Sequence, residues 1–228
     1  MRSIADIVHV QYINLDHRTD RRAEVEGELR KLGILDTASR FPAIKLKDGR
    51  IGCTMSHLKC LQQAKENNLH HLMLVEDDIQ FLNPNVFANS LNKFLSMDIP
   101  WDVILIAGNN IPPYTRVDET AVKVTACQTT TGYIVNGHYF DTLIENMRDG
   151  MKKLMHEPNK HFHYAVDKYW FELQKRDNWF LITPLSVTQR RGYSDIEKRE
   201  TDFTHAMVDL DKAEFMRRVA ARNAMMGI

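Results

Sequence analysis

Apolar residues along this chain form two kinds of pattern, continuous runs and helical spacings, and the two kinds alternate. The runs are rich in β-branched and aromatic residues and predict buried strands at 7–15, 72–75, 101–108, 129–136 and 179–183, with a shorter one at 120–125. Apolar residues three or four positions apart predict helices over 19–33, 53–61, 87–95 and 140–154. This alternation indicates an α/β fold with a mostly parallel central sheet.

The remaining segments are polar or are interrupted by glycine and proline. Loops are predicted at 41–52, 112–114 and 186–196. The tail, 211–226, is predicted to be a basic helix that covers the core or forms a homodimer face. No repeat or linker divides the chain, so one domain over 1–228 is expected.

Charge and composition exclude several classes of protein. The 30 Lys and Arg residues balance the 30 Asp and Glu residues, so no overall field attracts nucleic acid. The three cysteines do not suggest a disulfide framework. No apolar run approaches the ~20 residues of a membrane span, and charged residues interrupt the N-terminus where a signal peptide would be apolar. A cytoplasmic protein is therefore expected.

The most informative stretch is the apolar run at 72–75, which leads directly into Glu76, Asp77 and Asp78. Carboxylates crowded at a strand end repel one another unless protons or a cation offset their charge. Mg²⁺ and Mn²⁺ prefer such oxygen ligands, so the stretch predicts a divalent-cation site. A helix-capping or simply solvated role for these acids remains an alternative.

A basic turn follows the first predicted strand. Arg18, Arg21 and Arg22 lie where the next helix begins, and arginines and helix N-termini both favour phosphate. A solvated helix start explains the same residues equally well. Glycines before the helix at 53–61 would allow a ligand to approach the backbone, whereas His57 on that helix is typical of a packing residue.

Asp167 precedes an aromatic helical segment, as a helix cap or as a base near an aromatic pocket would. His161 and His163, just before it, fit a surface loop.

Two classes of enzyme with acidic strand ends do not fit this chain. A P-loop NTPase needs a glycine-rich phosphate loop ending in Gly-Lys-Ser/Thr, which the sequence lacks. A phosphorylated receiver domain would carry an aspartate after the strand at 101–106, where this chain has Ala107.

The order of several motifs resembles glycosyltransferase family 25, the family of lipooligosaccharide β-galactosyltransferases and procollagen galactosyltransferases. The similar stretches are 12–22, the Gly-Cys-x-x-Ser-His segment at 52–57, the acidic motif at 74–78, and blocks at 131–135, 166–167 and 184–196. Together these stretches follow the family's order over roughly residues 10–200.

This resemblance implies a GT-A-type, Rossmann-like fold, with a donor-nucleotide half at about 1–110 and an acceptor half at about 111–228. It implies an inverting transfer of galactose or glucose from a UDP-sugar, assisted by Mn²⁺ or Mg²⁺. The acceptor would be a hydroxyl of a glycan, a lipid-linked glycan or hydroxylysine. A protein that binds the sugar nucleotide without catalysis remains an alternative.

The resemblance also implies roles for individual residues. Cation ligands would be Asp78 and Glu76, and the general base would be Asp167, with Asp195 as the second choice. Contacts with the donor are expected from Asn14, Leu15, Arg18, Arg21, Gly52, Ser56, His57, Glu76 and Asp77.

Overall fold

The structure is a computed structural model that describes residues 1–213 and residue 217. Its helices are α1 (Thr19–Lys31), α2 (Gly49–Glu66), α3 (Pro84–Ser96), α4 (Phe140–His156), α5 (His161–Tyr164), α6 (Val166–Tyr169), α7 (Phe171–Arg176) and α8 (Thr204–Val208). Its strands are β1 (Val10–Asn14), β2 (Ala38–Pro42), β3 (His71–Glu76), β4 (Ile79–Phe81), β5 (Val103–Leu105), β6 (Asn109–Asn110), β7 (Tyr114–Arg116), β8 (Ala121–Val124), β9 (Cys127–Gln128), β10 (Gly132–Asn136), β11 (Trp179–Ile182), β12 (Val187–Gln189), β13 (Gly192–Ser194) and β14 (Arg199–Thr201).

An eight-stranded sheet forms the centre of the described chain, in the order β2-β1-β3-β10-β5-β11-β8-β7. Strands β10 and β8 run opposite to the other six. The predicted α/β fold with a mostly parallel central sheet is therefore confirmed. Strand β10, from beyond residue 110, lies between β3 and β5, so the sheet itself has no boundary at that residue.

Strand β3 is buried on both faces because helices cover both sides of the sheet. Leu72 and Leu74 face the apolar layer that contains α2 and α4, while Met73 and Val75 face the layer that contains α1 and α3. This alternation follows from the two-residue period of a strand. A continuous apolar run was the correct signal for such a strand.

The edge of the sheet where β1 and β3 end positions the acidic residues. These two strands are parallel, and Ile13 of β1 is the register partner of Glu76. Strand β10 begins beside the same end, because Gly132 pairs with Val75 and the Glu76 N–H donates to the Thr131 carbonyl. Residues that follow β1 and β3 and precede β10 therefore meet at one edge.

The start of α2 differs from the prediction. The helix begins at Gly49, four residues before Cys53, because the Asp48 side chain accepts a hydrogen bond from the Arg50 N–H and caps the helix. The predicted loop at 41–52 is therefore too long at both ends. Its first two residues belong to β2, and its last four belong to α2.

The predicted loop at 186–196 is also wrong in part. Strand β12 pairs with β4, and β13 pairs with β14 in a hairpin. Strand β7 likewise occupies part of the predicted loop at 112–114, and α5 occupies the predicted surface loop around His161. These elements have only three or four residues, and the strands among them form through pairing with distant or neighbouring strands, so they leave no periodic signal in the sequence.

Most of the predicted tail helix, 211–226, lies outside the described residues. Among the described helices, none combines the length and the apolar character required to cross a membrane.

Candidate functional site

Two buried aspartates form the turn between β3 and β4. Asp77 and Asp78 are 7% and 6% exposed. The Arg21 guanidinium lies between them, with Nη1 3.0 Å from Asp77 Oδ1 and 3.2 Å from Asp78 Oδ2. Asn14, at the end of β1, donates to Asp77 Oδ2 at 2.7 Å. Arg21 from the basic turn and the two aspartates that follow β3 therefore form one cluster. The sequence predicted the basic turn and the acidic residues as two separate features.

Asp78 has one carboxylate oxygen without a partner. Its Oδ2 accepts a hydrogen bond from Gln189 Nε2 at 2.7 Å, whereas its buried Oδ1 contacts no donor among the described residues. Burial and the negative charge of Glu76 raise the pKa of Asp78 to about 7, although Arg21 opposes the shift. Burial also raises the pKa of Asp77. A buried, unpartnered carboxylate oxygen fits a divalent-cation ligand.

Glu76 is held through one of its two oxygens. Oε1 accepts hydrogen bonds from Thr130 Oγ1 at 2.8 Å and Cys53 Sγ at 3.5 Å, and it lies 3.2 Å from His57 Nε2. No described residue donates to Oε2, and the side chain is 20% exposed. Burial opposes ionisation, but the hydrogen bonds from His57, Thr130 and Cys53 outweigh it and lower the pKa of Glu76. Glu76 thus offers one carboxylate oxygen in an ionised group.

His57 is fully buried between α2 and the sheet. Its Nδ1 lies 2.8 Å from the Tyr133 hydroxyl, and the two rings are stacked. His57 therefore packs within the core and also fixes Glu76. Direct contact of His57 with a donor stays a prediction.

The first of two neighbouring cavities, here the β1–β3 cavity, has a volume of about 340 Å³ and opens at the ends of those strands. Several predicted residues line it: Leu15, Arg21, Ser56, Glu76, Asp77, Asp78 and Asp195. Lys45, Lys47 and Lys198 line it as well, so the cavity contains cationic groups in addition to the acidic turn. This combination of apolar and cationic groups suits a ligand with both a flat ring and phosphates.

The second cavity, here the α6 cavity, has a volume of about 400 Å³. Asp167 of α6 lines it, is 25% exposed, and accepts a hydrogen bond from the Thr129 N–H at 3.2 Å. Burial raises the pKa of Asp167, although Lys168, with Nζ 3.9 Å away, opposes the shift. Phe162 and Phe203 supply aromatic surface to the same cavity.

The two cavities share a wall. Both are lined by Cys53, Glu76, Gln189, Ser194 and Ile196. Asp78 lies on one side of this wall and Asp167 on the other. The arrangement can hold two ligands whose ends approach each other beside Glu76.

Residues of the β13–β14 hairpin line the β1–β3 cavity. Arg18 forms ion pairs with Asp20 at 3.0 Å and with Asp195 at 2.8 Å, and Arg21 Nη2 donates to the Tyr193 carbonyl at 2.9 Å. Asp195 therefore neutralises Arg18 and lines the β1–β3 cavity, whereas Asp167 lines the α6 cavity.

Gly52 and Ser56 hold the loop that forms one wall of the β1–β3 cavity. A Cβ on Gly52 would lie 2.4 Å from the Ile44 carbonyl oxygen, so the close approach of this loop requires glycine. Ser56 Oγ accepts from the Ile44 N–H at 2.9 Å and donates to the Gly52 carbonyl at 2.8 Å. These contacts, and those of Asn14 and Arg18, support neighbouring groups, and direct contacts with a donor stay predictions.

Sequence reasoning assigned no role to several residues of the site. Gln189 lay in a segment predicted to be a loop, and Thr130 and Tyr133 reach Glu76 and His57 only because β10 lies beside β3. Lys45 and Lys47 were noticed only as basic residues of a loop. The glycines that follow them, which allow a ligand to approach the backbone, were the one sequence signal for a binding site there.

Comparison with known proteins identifies the family to which this chain belongs. The model of Glycosyltransferase family 25 (LPS biosynthesis protein) matches residues 36–170, which is more than half of the 228-residue chain. A protein of Haemophilus influenzae (strain Rd), named "Putative glycosyltransferase", is 30% identical over 154 residues, covering 65% of this chain and 49% of that protein. The chain thus spans about half the length of this curated relative.

Two solved structures show remote overall likeness. One is a mannose-1-phosphate geranyltransferase from Thermus thermophilus, at 8% identity and TM-score 0.44, covering 76% of this chain and 73% of that chain. The other is a glycosyltransferase involved in glycosylation of the major capsid of PBCV-1, at 10% identity and TM-score 0.40, covering 77% and 91%.

Proposed function

Because this chain belongs to glycosyltransferase family 25, we propose that it transfers a hexose, galactose or glucose, from a UDP-sugar to an acceptor hydroxyl with inversion. The observation that supports this most directly is the pair of cavities that share the wall at Glu76. A transferase must hold two substrates side by side with their reacting ends together. Glycan, lipid-linked glycan and hydroxylysine acceptors all remain open.

The β1–β3 cavity is the proposed donor site. Leu15, Ala43 and Ile44 provide an apolar wall for the uracil ring. Arg21, Lys45 and Lys47 provide positive charge for the diphosphate, close to where α1 begins at Thr19. The Oε2 atom of Glu76, to which no described residue donates, would then face the ribose and the cation of the bound donor.

Asp78, with Glu76 beside it, would hold Mn²⁺ or Mg²⁺. The unpartnered Oδ1 of Asp78 supports this assignment, since a cation would satisfy it. When bound, such a cation stabilises the negative charge that develops on a departing diphosphate. Arg21, between the two aspartates, would add to that stabilisation as it turns towards the phosphate.

The α6 cavity is the proposed acceptor site, with Asp167 as the general base. An acceptor hydroxyl there would attack the sugar from the side opposite to the diphosphate. Its proton would pass to the Asp167 carboxylate, and burial raises the pKa of Asp167, which makes the carboxylate a stronger base. Phe162 and Phe203 would pack against the acceptor.

A direct assay tests the reaction. The protein is incubated with UDP-galactose and UDP-glucose in the presence of Mn²⁺, and released UDP is measured with and without EDTA. We expect UDP release from at least one donor and its loss with EDTA. Binding of the donor without any release would favour a binding protein, and absence of both would contradict the proposal.

A further inference from the structure

A second cluster of metal-binding side chains lies beside the acidic turn. Cys53 Sγ, His57 Nε2 or Nδ1 and a Glu76 carboxylate oxygen all lie within 4.8 Å of one another. We propose that these three side chains bind one borderline or soft divalent cation, such as Zn²⁺, at a site separate from Asp78. This proposal does not depend on the transferase proposal, because its test measures cation binding alone.

The two contacts of Glu76 Oε1 have lengths close to those between neighbouring ligand atoms of a tetrahedral cation site. Zinc bonds of ~2.0–2.3 Å place neighbouring ligand atoms about 3.3–3.7 Å apart. The Glu76 Oε1 atom lies 3.2 Å from His57 Nε2 and 3.5 Å from Cys53 Sγ. Only small movements would separate these hydrogen-bonded atoms enough to surround a cation.

The fold explains why the three ligands converge. Cys53 and His57 are four residues apart on α2, so they lie on the same face of the helix. Glu76 reaches that face from the end of β3. His57 Nδ1 lies against the Tyr133 hydroxyl at 2.8 Å, which fixes the ring and directs Nε2 towards Glu76. Metal-binding histidines are commonly oriented in this way through their other ring nitrogen.

The cluster also provides access and a place for a fourth ligand. Cys53 and Glu76 line both cavities, so a cation can enter from solvent. Water or the Thr130 hydroxyl, whose Oγ1 lies 2.8 Å from Glu76 Oε1, can complete the coordination. As the cation binds, the Cys53 thiol proton and the His57 Nε2 proton pass to solvent, so that sulfur ligates as a thiolate and His57 as a neutral ring whose Nδ1–H donates to the Tyr133 hydroxyl.

Ligand type distinguishes this site from the one at Asp78. Thiolate and imidazole ligands select zinc and similar cations, whereas carboxylates and water suit Mg²⁺ and Mn²⁺. The partners of the Asp78 carboxylate in the described chain are Arg21 and Gln189, which add no sulfur or imidazole ligand there. The two sites would therefore hold different cations, and Glu76 would contribute to both through separate oxygens.

The test uses the full chain after EDTA treatment and dialysis. Zn²⁺ binding is measured by calorimetry, and Co²⁺ is used to detect the thiolate-to-metal charge-transfer absorption. We expect one Zn²⁺ per chain and this absorption in the wild type. In Cys53→Ser we expect loss of the absorption and at least about tenfold weaker Zn²⁺ binding.

Cys60→Ser is the matched control, because Cys60 is a buried cysteine on the same helix, outside the cluster. It should bind as the wild type does. His57→Gln provides a second ligand variant, and its fold is checked by circular dichroism without metal. Equal Zn²⁺ affinity in the wild type and Cys53→Ser, or a wild type without thiolate absorption, would overturn the proposal.

Discussion

Asp167 is the residue on which the proposed proton transfer depends. Asp167→Asn retains an oxygen that can accept the hydrogen bond from the Thr129 N–H, so the fold should persist. Since the amide cannot take the acceptor proton, we expect unchanged UDP-sugar binding and a ~10²–10⁴-fold lower rate of transfer. Calorimetry with the donor and measurement of kcat separate the two effects.

Asp195→Asn is the comparison that distinguishes the two candidate bases. Asp195 pairs with Arg18 and lines the other cavity, so its replacement should change donor affinity more than kcat. If Asp195→Asn loses kcat and Asp167→Asn does not, the base is Asp195.

His71 provides a pH-dependent contribution to stability away from the site. It is buried in β3, and its Nε2 has no hydrogen-bond partner in the part of the chain that the structure describes. Burial, together with the nearby His9, lowers its pKa below the ordinary 6.5. The unfolded chain therefore takes up this proton more readily than the folded chain. The free energy of unfolding should fall as the pH drops below 6.5 towards the lowered value.

His71→Gln should reduce this loss of stability, whereas the exposed His156→Gln should not. Urea unfolding at about pH 7.5 and about pH 5.5 provides the measurement, since these values bracket an ordinary histidine pKa. An identical pH dependence in the wild type and His71→Gln would show that His71 makes no such contribution.

At the scale of the elements, long apolar patterns were predictable and short paired strands were not. Strand β3 was predictable because its four successive apolar residues, 72–75, are buried between two helical layers. Strand β12, which brings Gln189 to Asp78, has three residues and exists through pairing with β4. The acidic turn could therefore be located from sequence, whereas the residues that satisfy its oxygens required the tertiary structure.

Helix α2 and the 43–47 loop are in close contact at Gly52. In Gly52→Ala the new methyl group would meet the Ile44 carbonyl, so the loop must move. We expect a loss of about 1–3 kcal/mol in the free energy of unfolding and weaker UDP-sugar binding. Chemical denaturation and donor calorimetry measure the two effects.

Gly27→Ala is the control, because Gly27 lies in α1 with nothing within 4 Å of the added Cβ. It should be neutral or stabilise the protein by about 0.5–1 kcal/mol, as expected for glycine replaced within a helix. Equal stability of Gly52→Ala and the wild type would show that the loop adapts without cost.

At the scale of the whole molecule, the family resemblance predicted two functional halves that meet near residue 110. The central sheet contains strands from both halves, because β10 lies between β3 and β5. Cys53 from the first half lines the α6 cavity, and Asp195 and Lys198 from the second line the β1–β3 cavity. Sequence order alone could not show this, because strand order in a sheet is set by long-range pairing. The assignment of donor and acceptor to the two cavities stays a prediction.

The central claim is that Asp78 anchors a cation-dependent donor site. Calorimetry of UDP-galactose and UDP-glucose binding, with Mn²⁺ and with EDTA, tests it in the wild type, Asp78→Asn and the exposed control Asp141→Asn. We predict Mn²⁺-dependent binding of at least one donor in the wild type and the control, and at least about tenfold weaker binding in Asp78→Asn. Equal, Mn²⁺-independent affinity in all three proteins would contradict the account.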